Sequence, residues 1–375
     1  MAEEYKVMKN AETEYKIQEK LEYLPQFCKQ YIISISGFTR PLTQFAYLQR
    51  IEFFFRWLHD YNAFFAKKDN ISNFTIDELG LLKKADIEEF LYHISRYGAI
   101  SKNKVEEIKK ELKNSDLSAK ERNAILTHSK ASTRNNYKSA LNSLFNFFCD
   151  EEYLESNPVE RIRNTKEDKK VIIALDRDQQ NRTLNVIECG SEHMSVRQDN
   201  CRQLTATRDK AIYILAMRTG IRVSELVSLD VRDLDFRNHC FKVILKRGDE
   251  LTVYMDDSTE EALKDWLVSR ELLMLPDNEQ ALFVSFRGSK IGSRLSVRSV
   301  ELMVKKYATL GAPEIGYKVT PHKLRSTCAT ETIAATGDLN FTKNKLGHKS
   351  ALTTTRYIKQ DEDQKRERRN ILDHK

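Results

Sequence analysis

The chain has 375 residues, with 62 Lys and Arg against 55 Asp and Glu, a net charge of +7 and a pI near 8.9. That length suggests two domains with ample core in each, and the modest positive charge permits a nucleic-acid partner without requiring one. Dispersed cysteines with no C-x-x-C pair, no run of about 18 apolar residues, and an N-terminus, MAEEYKVMKN, without a signal-peptide core exclude a disulfide-framed secreted domain and a membrane-spanning one.

The first half reads as helices. Lys16 to Tyr31 is a leading helix, and Tyr47, Leu48, Ile51, Phe54, Phe55 and Leu58 recur at helical spacing behind Thr43 as N-cap. Ala85 to Tyr97 is a third amphipathic stretch, and Tyr137, Leu141, Leu144, Phe145 and Phe148 repeat the pattern behind Ser132 or Thr133. These stripes are core; on the polar side of the last helix, Arg134, Asn135 and Lys138 are placed to meet phosphates. Ser101 to Ser129, dense in Lys, Glu and Asn, reads as a solvated helical insertion.

Asn157-Pro158 ends this unit, and the polar run after Arg161 reads as a linker. The expected division is residues 1–160, a linker over 161–172, and a second domain over 173–375. The second domain reads as mixed but mostly helical. CFKVIL and LTVYM, separated by KRGDE, form a hairpin with Lys246 at its turn, and Ala262 to about Leu273 is a helix. Ser296 caps a helix running to Tyr307, from which Arg298 and Lys305 can reach phosphates of a nucleic-acid partner, with Arg294 just before the cap. The tail after Tyr357 is highly charged. Cys189, His193 and Cys201 are close in sequence but match no common zinc spacing.

The chemistry lies in a scattered set: Arg222 in TGIRVSEL, His322 and Arg325 in PHKLR, His348 in LGHKS and Tyr357 in TTTRYIK. Planar guanidinium forks match two non-bridging phosphate oxygens at once, so two arginines suit the charge that grows as a nucleophile adds to phosphorus. His348 adds a donor to the same oxygens, and His322 can donate to the phosphate or shuttle the tyrosine proton. Tyr357 can attack phosphorus, and flanking cations would favour its phenolate. Glu225, three positions after Arg222, can orient it.

These segments resemble the active-site motifs of the tyrosine recombinase/integrase family, from Arg161 to Tyr357, with a looser match from Leu42 to Phe148. The resemblance implies a helical, SAM-like core-binding domain followed by a mostly helical catalytic domain with a small β-hairpin, together a C-shaped clamp. It assigns protonation of the leaving 5′-oxygen to a hairpin lysine; Leu245-Lys246-Arg247-Gly248 departs from the usual G-K-G form, so Lys242 and Arg247 compete with Lys246 for that part.

The function so implied is site-specific recombination on two duplex DNA sites by a homotetramer, through a 3′-phosphotyrosine and a Holliday junction, with no metal, nucleotide or other cofactor, in the cytoplasm. The residues before the first core-binding helix are too few for an arm-binding domain, which points to a simple-site enzyme. Mobile-element integration or excision ranks slightly ahead of chromosome-dimer resolution, because the insertion and the atypical hairpin depart from the compact Xer pattern. Inversion is also open. The alternatives are a non-catalytic accessory protein that holds synapsed DNA and a type IB topoisomerase-like relaxing enzyme.

Overall fold

The computed structural model describes residues 2–113, 130–167, 173–244, 250–276, 278–286, 291–347 and 354–355. It is mainly helical, with one small antiparallel sheet, and divides into two compact units: Val7–Lys169, and Lys170–Lys375 together with Met1–Lys6. No helix among the described residues is long and apolar enough to cross a membrane.

The single leading helix expected over Lys16 to Tyr31 is two helices, α1 (Ala2–Leu21) and α2 (Phe27–Ser36). Pro25 lies between them, and a proline ring neither donates a backbone hydrogen bond nor tolerates the preceding helical turn. α3 (Pro41–Tyr61) starts before Thr43, with Arg40 as its cap and Pro41 in the first turn, where the missing N–H has no intrahelical partner to lose. The short α4 (Ile76–Gly80) is closed by a reciprocal Thr75–Glu78 capping box. α5 (Lys84–Tyr97) follows the expected stretch, and α6 (Lys102–Lys113) opens the insertion, whose residues 114–129 lie outside the described ones. α7 (Ala131–Asp150) has Lys130 as its cap rather than Ser132 or Thr133.

The expected stripes are core: Leu48, Ile51, Phe54, Phe55 and Leu58 of α3 are fully buried, as are Leu141, Leu144, Phe145 and Phe148 of α7. Phe27 joins three helices, edge-on to Phe55 at 5.8 Å and to Phe148 at 5.5 Å, and each such pair adds ~0.5–1.5 kcal/mol beyond its burial. Val159 and Ile162 belong to the same core, so this unit's packing continues past Asn157-Pro158.

In the other unit α8 (Arg177–Cys189) is capped by Asp176, and α9 (Val196–Thr219) runs through the centre, where Ala211 to Met217 are all buried. A helix apolar on every side must be enclosed by its neighbours; it is packed against by α8, by α11 (Asp257–Glu271) and by α13 (Pro321–Thr336). α10 (Val223–Ser228) follows immediately. The hairpin is present as β2 (Cys240–Ile244) against β3 (Glu250–Tyr254), in a register that pairs Phe241 with Val253. A two-residue strand, β1 (Leu234–Asp235), pairs with β2 and was not expected. α11 starts at its Asp256 cap, ahead of the expected Ala262, because the cap and not the first apolar residue sets the start. α12 (Val297–Gly311) has the expected Ser296 cap, and α14 (Leu339–Lys345) closes the described fold.

Candidate active site

Arg222 sits where α9 hands over to α10. Gly220 ends α9 in the left-handed region, at φ +65°, and a Cβ there would lie 2.6 Å from Leu346 Cδ2 and 3.2 Å from Cys328 Sγ. Only glycine meets both demands, backbone and space. The turn delivers Arg222 as the cap of α10, where Glu225 holds it twice: Oε2 accepts from the backbone N–H at 3.0 Å and Oε1 from Nη1 at 2.8 Å. Glu225 is buried, while the Arg222 side chain keeps 31% of its surface exposed. The pair therefore points a braced cation outward.

Arg325 has a different setting. On α13, it is only 3% exposed, and its Nη1 and Nη2 donate to the Gly220 and Leu346 carbonyls, each at 2.5 Å. The adjacent Gly347 carbonyl lies 3.5 Å from Arg222 Nη2. One guanidinium thus fastens the turn before Arg222 to the turn before His348, and both to the helix that carries His322. His322 is exposed in the first turn of that helix. Cys328 backs the junction; its buried thiol donates to the Arg218 carbonyl at 3.3 Å, and burial pushes its pKa up, so it serves as neutral packing. Arg222, Glu225 and Arg325 are brought together around the Gly220 and Leu346-Gly347 turns, and His322 lies one turn before Arg325 on α13; Lys246, His348 and Tyr357 lie outside the described residues, as does Arg247. Lys242, on β2, is exposed and 3.5 Å from Glu250.

The residues expected to touch DNA divide sharply. Arg298 and Lys305 stand exposed on α12, Arg298 with Glu301 at 3.1 Å. Arg294 is built into the fold: its guanidinium donates to the Val227 and Leu229 carbonyls and to the fully buried Asp230, with the Tyr5 ring 5.2 Å away. Arg134, Asn135 and Lys138, in the other unit, hydrogen-bond to the chain at Arg163, Thr165 and Asn164.

Several supporting residues escaped sequence reasoning. Arg208 and Asp209 form a buried pair at 2.6 Å that ties α9 to the Val284 carbonyl and, through Asp209, to the Tyr307 hydroxyl of α12. Adjacent Arg-Asp on a charged helix reads as solvated, and only the buried neighbours reveal otherwise. Gly220 did leave a signal, a glycine directly after a helical run.

Comparison with known proteins gives the family. Residues 191–364 match the phage integrase family. A tyrosine recombinase XerC of Shewanella amazonensis is 34% identical over 223 residues, 60% of this chain and 68% of its own length. The chain belongs to the tyrosine recombinase family. A tyrosine recombinase XerS of Streptococcus thermophilus is 28% identical to this recombinase over 96% of the chain and 98% of its own length. In fold, it resembles the XerH recombinase bound to a palindromic difH substrate, with a TM-score of 0.57 and 19% identity, covering 89% of this chain and 81% of that one. It also resembles the Tn1549 transposon integrase in complex with circular-intermediate DNA, with a TM-score of 0.59 and 19% identity over 89% of this chain and 95% of that one.

Proposed function

We propose that this site-specific recombinase exchanges strands between two DNA sites through a covalent link at Tyr357. The Tyr357 oxygen forms a bond to phosphorus as the bond to the 5′-oxygen breaks; Arg222, Arg325 and His348 take up the charge on the non-bridging oxygens. His322 receives the tyrosine proton, and Lys246 supplies one to the leaving 5′-oxygen. The freed 5′-hydroxyl of the partner strand then reverses the step, so the bond energy is kept in the aryl phosphate and no nucleotide or metal is called upon. Arg298 and Lys305 contact the DNA backbone.

The observation that carries this reading is the convergence of Arg222 and Arg325 on adjacent carbonyls of the Leu346-Gly347 turn, directly before His348. An accessory protein that only holds DNA has no use for two arginines braced so closely. Two rounds of exchange on a tetramer would pass through a Holliday junction, in the cytoplasm. Between mobile-element integration and chromosome-dimer resolution, the match to XerS over nearly the full length favours the Xer-type role, reversing the order expected from the insertion and hairpin.

The test is a plasmid carrying two copies of the DNA that flanks the gene. The expected result is deletion or inversion of the segment between the copies, with a four-way junction as intermediate. Relaxation of supercoils with no exchange would instead identify a topoisomerase-like enzyme.

A further inference from the structure

The helix that presents Arg222 is short: α10 has 6 residues, and a helix of that length takes its direction from what holds its ends. Glu225 holds the first end. At the other, Arg294 Nη1 donates to the Val227 carbonyl at 3.0 Å and to the Leu229 carbonyl at 2.9 Å, while Nη2 meets the fully buried Asp230. Val227 lies in the last turn, whose carbonyls an α-helix leaves without their usual donors, so the arginine supplies what the helix cannot. Backbone pairing supplies the rest of the hold: the Leu282 N–H donates to the Leu229 carbonyl and the Val231 N–H to the Gln280 carbonyl, each at 2.9 Å. Neither of those bonds reaches a residue of α10 itself. Arg294 is fixed in turn, two residues before the Ser296 cap of α12, by a backbone bridge to Val284 and by the Leu295 N–H, which donates to the Phe283 carbonyl at 2.9 Å. Its side chain therefore joins the end of α10 to the start of α12.

We infer that Arg294 is a positioning residue for Arg222: it sets the axis of α10 from the end opposite Glu225 and ties that axis to the helix on which Arg298 and Lys305 stand. A guanidinium suits the place because one flat, forked group meets two carbonyls and a carboxylate within a stretch of four residues. A lysine there keeps a charge against Asp230 but offers a point cation in place of the fork. Without the fork α10 can tilt about its Glu225 end, and a misplacement of about 1 Å at a reacting group costs up to ~10² in rate. Arg294 acts from inside the fold, with its side chain only 15% exposed.

This inference rests on the cleavage reading above, and the test separates the two. Full-length wild type, Arg294→Lys, Arg222→Ala and the Arg222→Ala/Arg294→Lys double variant are compared on one duplex site. DNA affinity, its salt dependence and the rate of covalent adduct formation at saturating DNA are measured below the melting temperature of the least stable variant. Lysine is chosen because alanine would leave the buried Asp230 charge unpaired and endanger the fold. Arg202→Lys is the control for lost stability, since Arg202 donates in the same manner to the Ile187 and Glu188 carbonyls near the end of α8, at 3.2 and 2.7 Å, and to Asp199 at 2.7 Å. The expected result for Arg294→Lys is an adduct rate lowered about tenfold or more, affinity within about twofold of wild type, and no further loss where Arg222 is already alanine. Arg202→Lys should keep the wild-type rate. Weakened binding with a flatter salt slope in Arg294→Lys would make Arg294 a phosphate contact and overturn the inference. An equal loss with and without Arg222 would overturn it too, as would an equal loss in Arg202→Lys. A wild-type rate in Arg294→Lys, whatever its melting temperature, would leave only a structural role. Absence of adduct in the wild type would instead sink the cleavage reading, and this inference with it.

Discussion

Glu225 grips Arg222 at both ends of the residue, one carboxylate oxygen on the backbone N–H at 3.0 Å and the other on Nη1 at 2.8 Å. The same group thus closes the first turn of α10 and aims the guanidinium that the turn presents. Glu225→Ala should bind DNA nearly as wild type does and cleave about tenfold or more slower, because the arginine keeps its charge but loses its direction. Single-turnover cleavage at saturating DNA measures this; a loss of affinity with unchanged rate would reduce Glu225 to a helix cap.

Arg325 carries more than catalysis. Its truncation leaves the Gly220 and Leu346 carbonyls without their donor in a buried setting, at ~1–3 kcal/mol for each. Arg325→Ala should therefore lower the stability of the catalytic unit by ~2 kcal/mol or more as well as abolish cleavage, whereas Arg222→Ala, at a half-exposed position, should lose the rate by about 10² with little change in stability. Thermal unfolding of both variants distinguishes them. Equal melting temperatures would show that the Arg325 bonds are not structural.

The local structure behind these two arginines was partly legible in the sequence. The Ser296 cap and the apolar run CFKVIL were strong local signals, and the elements they imply are present, while Gly220 after a helical run was a signal that went unread. Starts of helices were misplaced where a proline or an aspartate upstream of the first apolar residue sets the boundary, as at Pro41 and Asp256. What could not be read was tertiary. Nothing local says that Arg294 turns inward to Asp230 while Arg298, one turn on, stays exposed, or that Asn135 meets Thr165. Those outcomes depend on which acceptors the tertiary fold brings nearby.

Stability should also depend on His93. It is buried among Phe53, Trp57, Tyr61 and Tyr97, and its Nε2 has no partner among the described residues. Burial holds its pKa below the ordinary value and Lys109 adds to the effect, while a hydrogen bond to the Ile100 backbone and the charge of Asp60 oppose it. With the folded pKa depressed, the unfolded chain binds more protons, so the stability present at neutral pH is lost as pH falls below ~6.5 towards the folded value. Urea unfolding between about pH 5 and 7.5 should show this slope, and His93→Phe should flatten it. An unchanged slope in the variant would assign the dependence to other groups.

Lys246 and its rivals can be separated by leaving-group chemistry. Lys246→Ala should cleave ordinary DNA slower by ~10² to 10⁴, as for a lost general acid, and a 5′-bridging sulfur should restore the rate, since a thiolate leaves without a proton. Lys242→Ala and Arg247→Ala should show no selective rescue. Rescue of either, with Lys246→Ala still slow, would move the acid to that residue.

The central claim is that Tyr357 joins the 3′ end of the broken strand. Wild type and Tyr357→Phe are incubated with a site whose scissile strand is labelled upstream of the scissile phosphate in one substrate and downstream of it in another, and the adduct is digested and its peptide identified by mass spectrometry. The account expects an adduct in wild type alone, on the Tyr357 peptide, linked through a 3′-phosphate, with DNA binding by Tyr357→Phe unchanged. An adduct that persists in Tyr357→Phe, or one linked through the 5′ end, would contradict it.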